Sequence, residues 1–304
     1  MSIQLADLRL PQSKIATGAG PSGRAAGSRP RSLSRYLLKN WGLVFALLVL
    51  GVSLVAVIWP QALTGGDPTG GDPTLSHQSP SLAHPFGTDI QGRDVLVRVI
   101  YGARYSILIG IGASLVAVIL GVLLGTLAGV SRRGVDRAIS RVVDVVAAFP
   151  EILLALLMIA FIGRGTLNLV LALGIAGLPK YARTMRANVR LAETSGFVEQ
   201  SKTFGISRWT IIRRHVLPNA LGALPVMITI GFGGAIIGAS ALSFLGLGPQ
   251  PPAAEWGLML SESRNYLRQA WWAGVFPGAA ITTVVIAATI LGRVLQANYE
   301  RRHR

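Results

Sequence analysis

The sequence predicts an all-α integral membrane protein with six transmembrane helices, and three observations lead there. Apolar residues make up 51% of the 304 positions and the mean hydropathy is +0.52, a membrane composition. The apolar residues gather in six long blocks rather than in short amphipathic repeats. The segments between the blocks alternate between rich and poor in Lys and Arg, 23 residues against six, the asymmetry that orients a membrane protein.

Taken in order, residues 1–40 are a basic tail, rich in Gly, Ser, Pro and Ala from Thr17 to Ser34. Such a composition cannot build a core, so the tail is expected to be disordered and cytoplasmic. A crossing helix needs roughly 20 apolar residues at about 1.5 Å each for a hydrocarbon core of about 30 Å. The first block, 41–59, has Trp41 and Trp59 at its two interfaces. The tail before it is longer than a cleaved signal accommodates, so this span is expected to be a retained anchor.

Residues 60–103 read as an extracytoplasmic loop, with Gly-Gly-Asp-Pro-Thr repeated at 65–69 and 70–74. This is turn chemistry, without metal-loop spacing. The core, 104–292, holds five more spans. Ser106 to Val130 contains no ionisable residue, and Val145 to Ile162 follows. Thr166 to Leu178 is short and is expected to start lower or to continue past Pro179 as a kinked helix. Ala220 to Leu245 and Trp271 to Leu291 complete the set, and residues 293–304 form a second basic tail.

The rich side comprises the two tails, the segment with Arg132, Arg133, Arg137 and Arg141, and the segment from Lys180 to Arg214. The poor side holds Arg93, Arg98, Arg104, Arg164, Arg264 and Arg268. Both termini are therefore expected in the cytoplasm, with the lipid bilayer as the chain's solvent. A net charge of +16 alone would suggest nucleic acid, but the basic residues are interleaved with spans and no reading platform accompanies them. The absence of cysteine excludes disulfides, thiol catalysis and cysteine zinc sites.

The segment 193–218, between the fourth and fifth spans, carries the most information. Glu199 to Phe204 suits a short helix with its acid in the first turn, and Gly205 suits the left-handed residue that ends it. Ser207 is a plausible N-cap for a second helix from Arg208 to Leu217, which Pro218 stops or passes into the next span. Glu199, Gly205, Leu217 and Pro218 resemble, at the right spacing, the EAA loop of binding-protein-dependent ABC importer permeases. Gln200 and Ser201 stand where the family has two alanines, and His215 where it has an apolar residue.

Two further stretches narrow the resemblance. His84-Pro85-Phe86-Gly87-Thr88-Asp89 with Gly92-Arg93-Asp94 and Tyr101-Gly102-Ala103-Arg104 is similar to the opening of C-type subunits in the dipeptide, oligopeptide and nickel permease family. So is Ala241 to Gly248 with Gln250-Pro251-Pro252 and Glu255-Trp256-Gly257. The resemblance implies a type I ABC importer permease (MetI-like) fold and half of a pathway for di- or oligopeptides. Nickel, haem or another small solute stands as an alternative cargo. It implies as partners a homologous second permease subunit, two cytoplasmic ATPase subunits or domains and an extracytoplasmic substrate-binding protein. Coupling to the ATPase would fall to Glu199, Gln200, Ser201, Phe204, Gly205, Leu217 and Pro218. None of Lys14, Lys39, Lys180 or Lys202 follows a glycine, so the chain has no phosphate loop, and ATP and magnesium are expected in the partners. No cofactor is expected in this chain.

Gly121, Gly125 and Gly129 space a small-residue stripe along the second span, and Gly234 and Gly238 a second in the fifth. Both are helix-packing candidates, within the chain or against the second permease. Asp144 and Glu151, seven apart, would share a face of the third span. Asp144 is expected to pair with Arg141. Glu151 is a candidate for the pathway or its gate as well as for a structural contact, because a charge deep in a span costs about 2.5–3.5 kcal/mol unless it faces a cavity. The four histidines, His77, His84, His215 and His303, show no metal spacing. An ion-coupled secondary transporter would need inverted repeats, and an intramembrane enzyme a nucleophile with its base; neither pattern is present.

Overall fold

A computed structural model describes residues 41–222 and 224–302, and every regular element among them is helical. Helix α1 is Trp41–Ile58, α2 Val95–Val130, α3 Arg133–Ala147, α4 Glu151–Ile162 and α5 Thr166–Glu193. Helix α6 is Gly196–Thr203, and α7, Arg208–Ile211, passes through a π-helical stretch, Ile212–Val216, into α8, Leu217–Leu221. Helices α9, Leu224–Phe244, α10, Trp256–Ser263, and α11, Trp272–Arg302, complete the described chain. The tail expected to be disordered, 1–40, lies outside the described residues.

Among these residues four helices are long and apolar enough to cross a bilayer, α1, α2, α9 and the 272–299 part of α11. The count rises to five if α3 and α4, bent by 90° to each other, make one broken span. The six continuous spans of the sequence reading are therefore not reproduced. The predicted third span breaks at Ala148-Phe149-Pro150: proline disfavours a helical residue before it, and a new helix opens at Glu151. Helix α4 alone, 12 residues and about 18 Å long, is too short to cross. The predicted fourth span does continue through Pro179 as the 28-residue α5, but its second half is basic.

Helices α2 and α5 run side by side in the same direction. Gly112 faces Val170, Val116 faces Gly174, Gly121 faces Tyr181 and Gly129 faces Val189, a near-constant offset along both helices. The intervening segment 131–165 thus returns the chain from one end of the pair to the other. A Cβ on Gly121 would lie 2.5 Å from Tyr181 Cβ, and one on Gly125 2.4 Å from the Ala182 carbonyl oxygen. The first small-residue stripe therefore packs within this chain. The second does not behave alike: Gly238 approaches Leu173, whereas nothing lies within 4 Å of Gly234.

Buried Ile109, Ala113, Ile159, Leu173 and Leu242 join α2, α4, α5 and α9 in one apolar cluster. Another joins α2, α10 and α11 through Ile107, Trp256, Met259 and Val284. Helix α2 starts at Val95, earlier than predicted, because the Asp94 carboxylate accepts from the Val97 amide at 3.0 Å and His84 Nδ1 lies 2.8 Å from the other oxygen.

The 60–94 segment is folded against the helices. In each repeat copy the aspartate accepts from the amide and hydroxyl of the threonine two residues on, at 2.8 and 2.7 Å for Asp67–Thr69 and 2.9 and 2.7 Å for Asp72–Thr74. The threonine hydroxyls hold both carboxyls below their usual range. The second turn lies against Gly92, whose φ of +69° and closeness to the Asp72 carbonyl leave no room for a side chain.

Candidate functional site

The 193–218 segment folds as a helix, a turn and a second helix seated on the C-terminal half of α5. Val198, Ile211, Val216 and Ala220 are buried against Met185, Val189 and Ala192. That apolar base fixes the pair to a long, rigid helix. Ser201 faces the same interior, and its hydroxyl donates to the Phe197 carbonyl at 2.7 Å, which satisfies a polar group in a position suited to a small residue.

The turn follows from hydrogen-bond bookkeeping. The Gly205 amide donates to Lys202 O at 3.0 Å and the Ile206 amide to Ser201 O at 3.2 Å, the two bonds of a Schellman ending, with Gly205 at φ +72°. No atom stands within 4 Å of a Cβ there, so backbone conformation and not space selects glycine. Ser207 then caps α7, its Oγ accepting from the Thr210 amide at 3.3 Å. The second helix does not stop at Pro218. The π-helical turn before it, in which the Leu217 amide reaches Ile212 O, widens the ladder where the proline ring would collide and its missing N–H goes unneeded. The run ends at Leu221, so the fifth span begins at Leu224 rather than Ala220.

The outer side of this hairpin is presented to solvent. Glu199, Gln200 and Pro218 are exposed, Phe204 is 82% exposed and Trp209 71%. Leu217 packs partly into the apolar base, and the Phe197 and His215 rings meet at 6.0 Å. Arg208 donates to Val130 O at the end of α2. The hairpin therefore touches both α5 and α2, the two helices that lie parallel. Trp209 is a feature that the motif spacing did not single out.

A second set of groups lines α3, α4 and α5. Asp136, buried, accepts from Arg186 Nε at 2.5 Å and also pairs with Arg190. Asp144 pairs with Arg183 at 2.9 Å, not with Arg141, because α3 turns that face onto α5. Glu151 stands 3.8 Å from Lys180, its carboxylate fitting over the bare Gly177. Asp144 and Glu151 do not share a helical face, since the bend lies between them. Sequence reasoning missed this pairing; the signal was the recurrence of basic residues along α5, legible only once α3 was known to lie beside it.

At the other end, Arg93 and Arg98, each 1% exposed, converge on Asp89 and Glu262, with Arg93 Nε 2.6 Å from Asp89 and both guanidinium groups 3.0 Å from Glu262. Arg98 also donates to the Pro68 carbonyl at 3.1 Å, which ties the tandem repeat to α2 and, through Glu262, to α10. Glu255 is buried at the N-cap of α10; burial pushes its carboxyl above the usual range, against the Gly257 and Leu258 amides and Ser106 hydroxyl that donate to it. Among the described residues no group of three His, Cys, Asp or Glu side chains converges as a metal site requires.

Comparison with known proteins adds the following. A family model described as binding-protein-dependent transport system inner membrane component matches residues 121–304. The chain is 38% identical over 262 residues to the dipeptide transport system permease protein DppC of Alkalihalophilus pseudofirmus, covering 86% of each chain. It is 36% identical over 279 residues to the probable D,D-dipeptide transport system permease protein DdpC of Escherichia coli, covering 89% of this chain and 94% of that one. With the glutathione transport system permease protein GsiD of Shigella flexneri it shares 44% over 216 residues, 71% of each chain. Among solved structures, an amino acid ABC transporter with histidines aligns at a TM-score of 0.54 and 16% identity, over 67% of this chain and 94% of that one. The inward-facing MetNI methionine ABC transporter aligns at 0.50 and 24%, over 68% and 94%.

Proposed function

The chain belongs to the family of binding-protein-dependent transport system inner membrane components, and from that premise we propose that it forms half of a pathway for di- or oligopeptides. It is the permease subunit of an ABC importer, with the helical fold of such permeases. In the proposed complex it stands beside a homologous permease chain. Two cytoplasmic ATPase subunits, holding ATP and magnesium, engage the 193–218 hairpin, and an extracytoplasmic binding protein delivers the solute. The termini are cytoplasmic. Relatives named for dipeptide and glutathione transport support the peptide class.

The observation that carries the coupling assignment is the two-sided hairpin. Nucleotide-driven closure moves a transmembrane helix only through a structured cytoplasmic element. Here an exposed rim of Glu199, Phe204 and Trp209 is fixed through a buried apolar base to α5. Gly205→Val would force a β-branched residue to φ +72° and misdirect α7. Glu199→Lys would place a cation at the N-terminal turn of α6. In the reconstituted complex both substitutions should lower peptide-stimulated ATP hydrolysis and uptake together. The expected size is roughly 5- to 150-fold, the range of a typical coupling free energy. Peptide affinity of the isolated binding protein should be unchanged. Assembled variants that transport at the unmodified rate would refute the assignment.

A further inference from the structure

The outward stripe of α5 changes character along its length, from Leu167 and Leu171 near its start to Lys180 and Arg183 beyond its middle. Opposite stand Glu151, in the first turn of α4, and Asp144, near the end of α3, so that the four side chains form two ion pairs of 3.8 and 2.9 Å. All four are between 44% and 60% exposed. Tyr181, next to Lys180, packs on Gly121 of α2, inside the 106–130 stretch that holds no ionisable residue, so Lys180, grouped with the cytoplasmic segment on sequence alone, lies at membrane depth. Charges at such depth face protein or water rather than acyl chains. Beside the second pair, a cavity of about 320 Å³ between α2, α3 and α5, lined by Gly125, Asp144, Ala182 and Arg183, leaves room for water.

We propose that this α4–α5 face lines the aqueous translocation path, and that Glu151 and Lys180, as a mutually neutralising pair, set its tolerance for solutes of different net charge. The inference rests on the peptide-importer reading. A lining whose charges cancel presents polar groups without net attraction, so a solute enters without being trapped. Removing one partner leaves a fixed charge in a passage of low dielectric, where it attracts peptides of one sign and repels those of the other. The two pairs also span the bend between α3 and α4, so the lining stays attached to α5 when α5 is moved by the hairpin.

The test uses the complete complex in proteoliposomes, with binding protein saturated by labelled dipeptides of net charge −1, 0 or +1, so that differences in binding-protein affinity drop out. Lys180→Gln should lower uptake of the anionic relative to the cationic dipeptide several-fold, and Glu151→Gln should raise it. The exchange Glu151→Lys with Lys180→Glu should return the ratio toward its original value. Because the chain has no cysteine, Lys180→Cys can be read by the mass shift of this chain alone. It should react with a water-soluble methanethiosulfonate, whereas Leu115→Cys, on the outer face of α2, should not. A cationic reagent on Lys180→Cys should restore the anion-to-cation ratio and an anionic one should depress it further, a comparison that holds even if the glutamine variants assemble poorly. Equal changes for all three dipeptides would make the pair merely structural and overturn the proposal, as would a Lys180→Cys as inert as Leu115→Cys. Failure of the peptide reading itself shows differently, as absence of ATP-dependent dipeptide uptake in the unmodified complex, and removes this inference with it.

Discussion

Arg93 and Arg98 lie in the sequence as two ordinary basic residues near the head of a helix, yet both are almost wholly buried. What makes this tolerable is the pair of carboxylates, Asp89 and Glu262, drawn from segments far apart in sequence. A buried charge stripped of its partner is strongly unfavourable, by about 3–5 kcal/mol. Glu262→Gln should therefore lower the thermal unfolding midpoint of the detergent-purified complex, while Asp67→Asn, on the exposed turn, should leave it nearly unchanged. Equal midpoints for the two variants would contradict a stabilising role for the buried network. Asp89 and Arg93 were legible as motif residues, but their convergence with Glu262 was not, because no local spacing relates them to α10.

At the scale of the element, the glycine stripe of α2 was readable as packing, and the structure decides between its two readings: it meets α5 of the same chain. Gly125→Ala would drive a methyl group into the Ala182 carbonyl, and overpacking of this kind typically costs ~1–3 kcal/mol. The same change at Gly51, where nothing lies within 4 Å, adds helix propensity without a clash. Yield of folded chain should fall for Gly125→Ala and hold for Gly51→Ala; a fall in both would point to something other than the α2–α5 contact. The 193–218 hairpin was likewise legible, since a Schellman ending and a serine cap are local hydrogen-bonding patterns with sequence signatures. Its passage through Pro218 was not, because a π-helical turn depends on the whole run of backbone bonds around it.

For the whole molecule, the parallel α2 and α5 require the segment 131–165 to return between their ends, and the proposed orientation puts the 193–218 hairpin and both termini on the cytoplasmic side. Cysteines introduced at exposed Thr69 and Gln250 should react with an impermeant thiol reagent in intact cells, and one at exposed Ser207 only after the membrane is opened. Labelling of Ser207 alone in intact cells would invert the orientation. By itself the sequence determined the membrane class, the helical composition, the basic asymmetry and the position of the 193–218 hairpin, because hydropathy, charge count, capping and turn chemistry act over a few residues. Only the tertiary structure decided that the predicted third span breaks before Glu151, that Asp144 answers Arg183 and Glu151 answers Lys180, and that two arginines lie buried against α10. Those outcomes depend on which helices lie side by side, and packing between distant segments has no local signature to read.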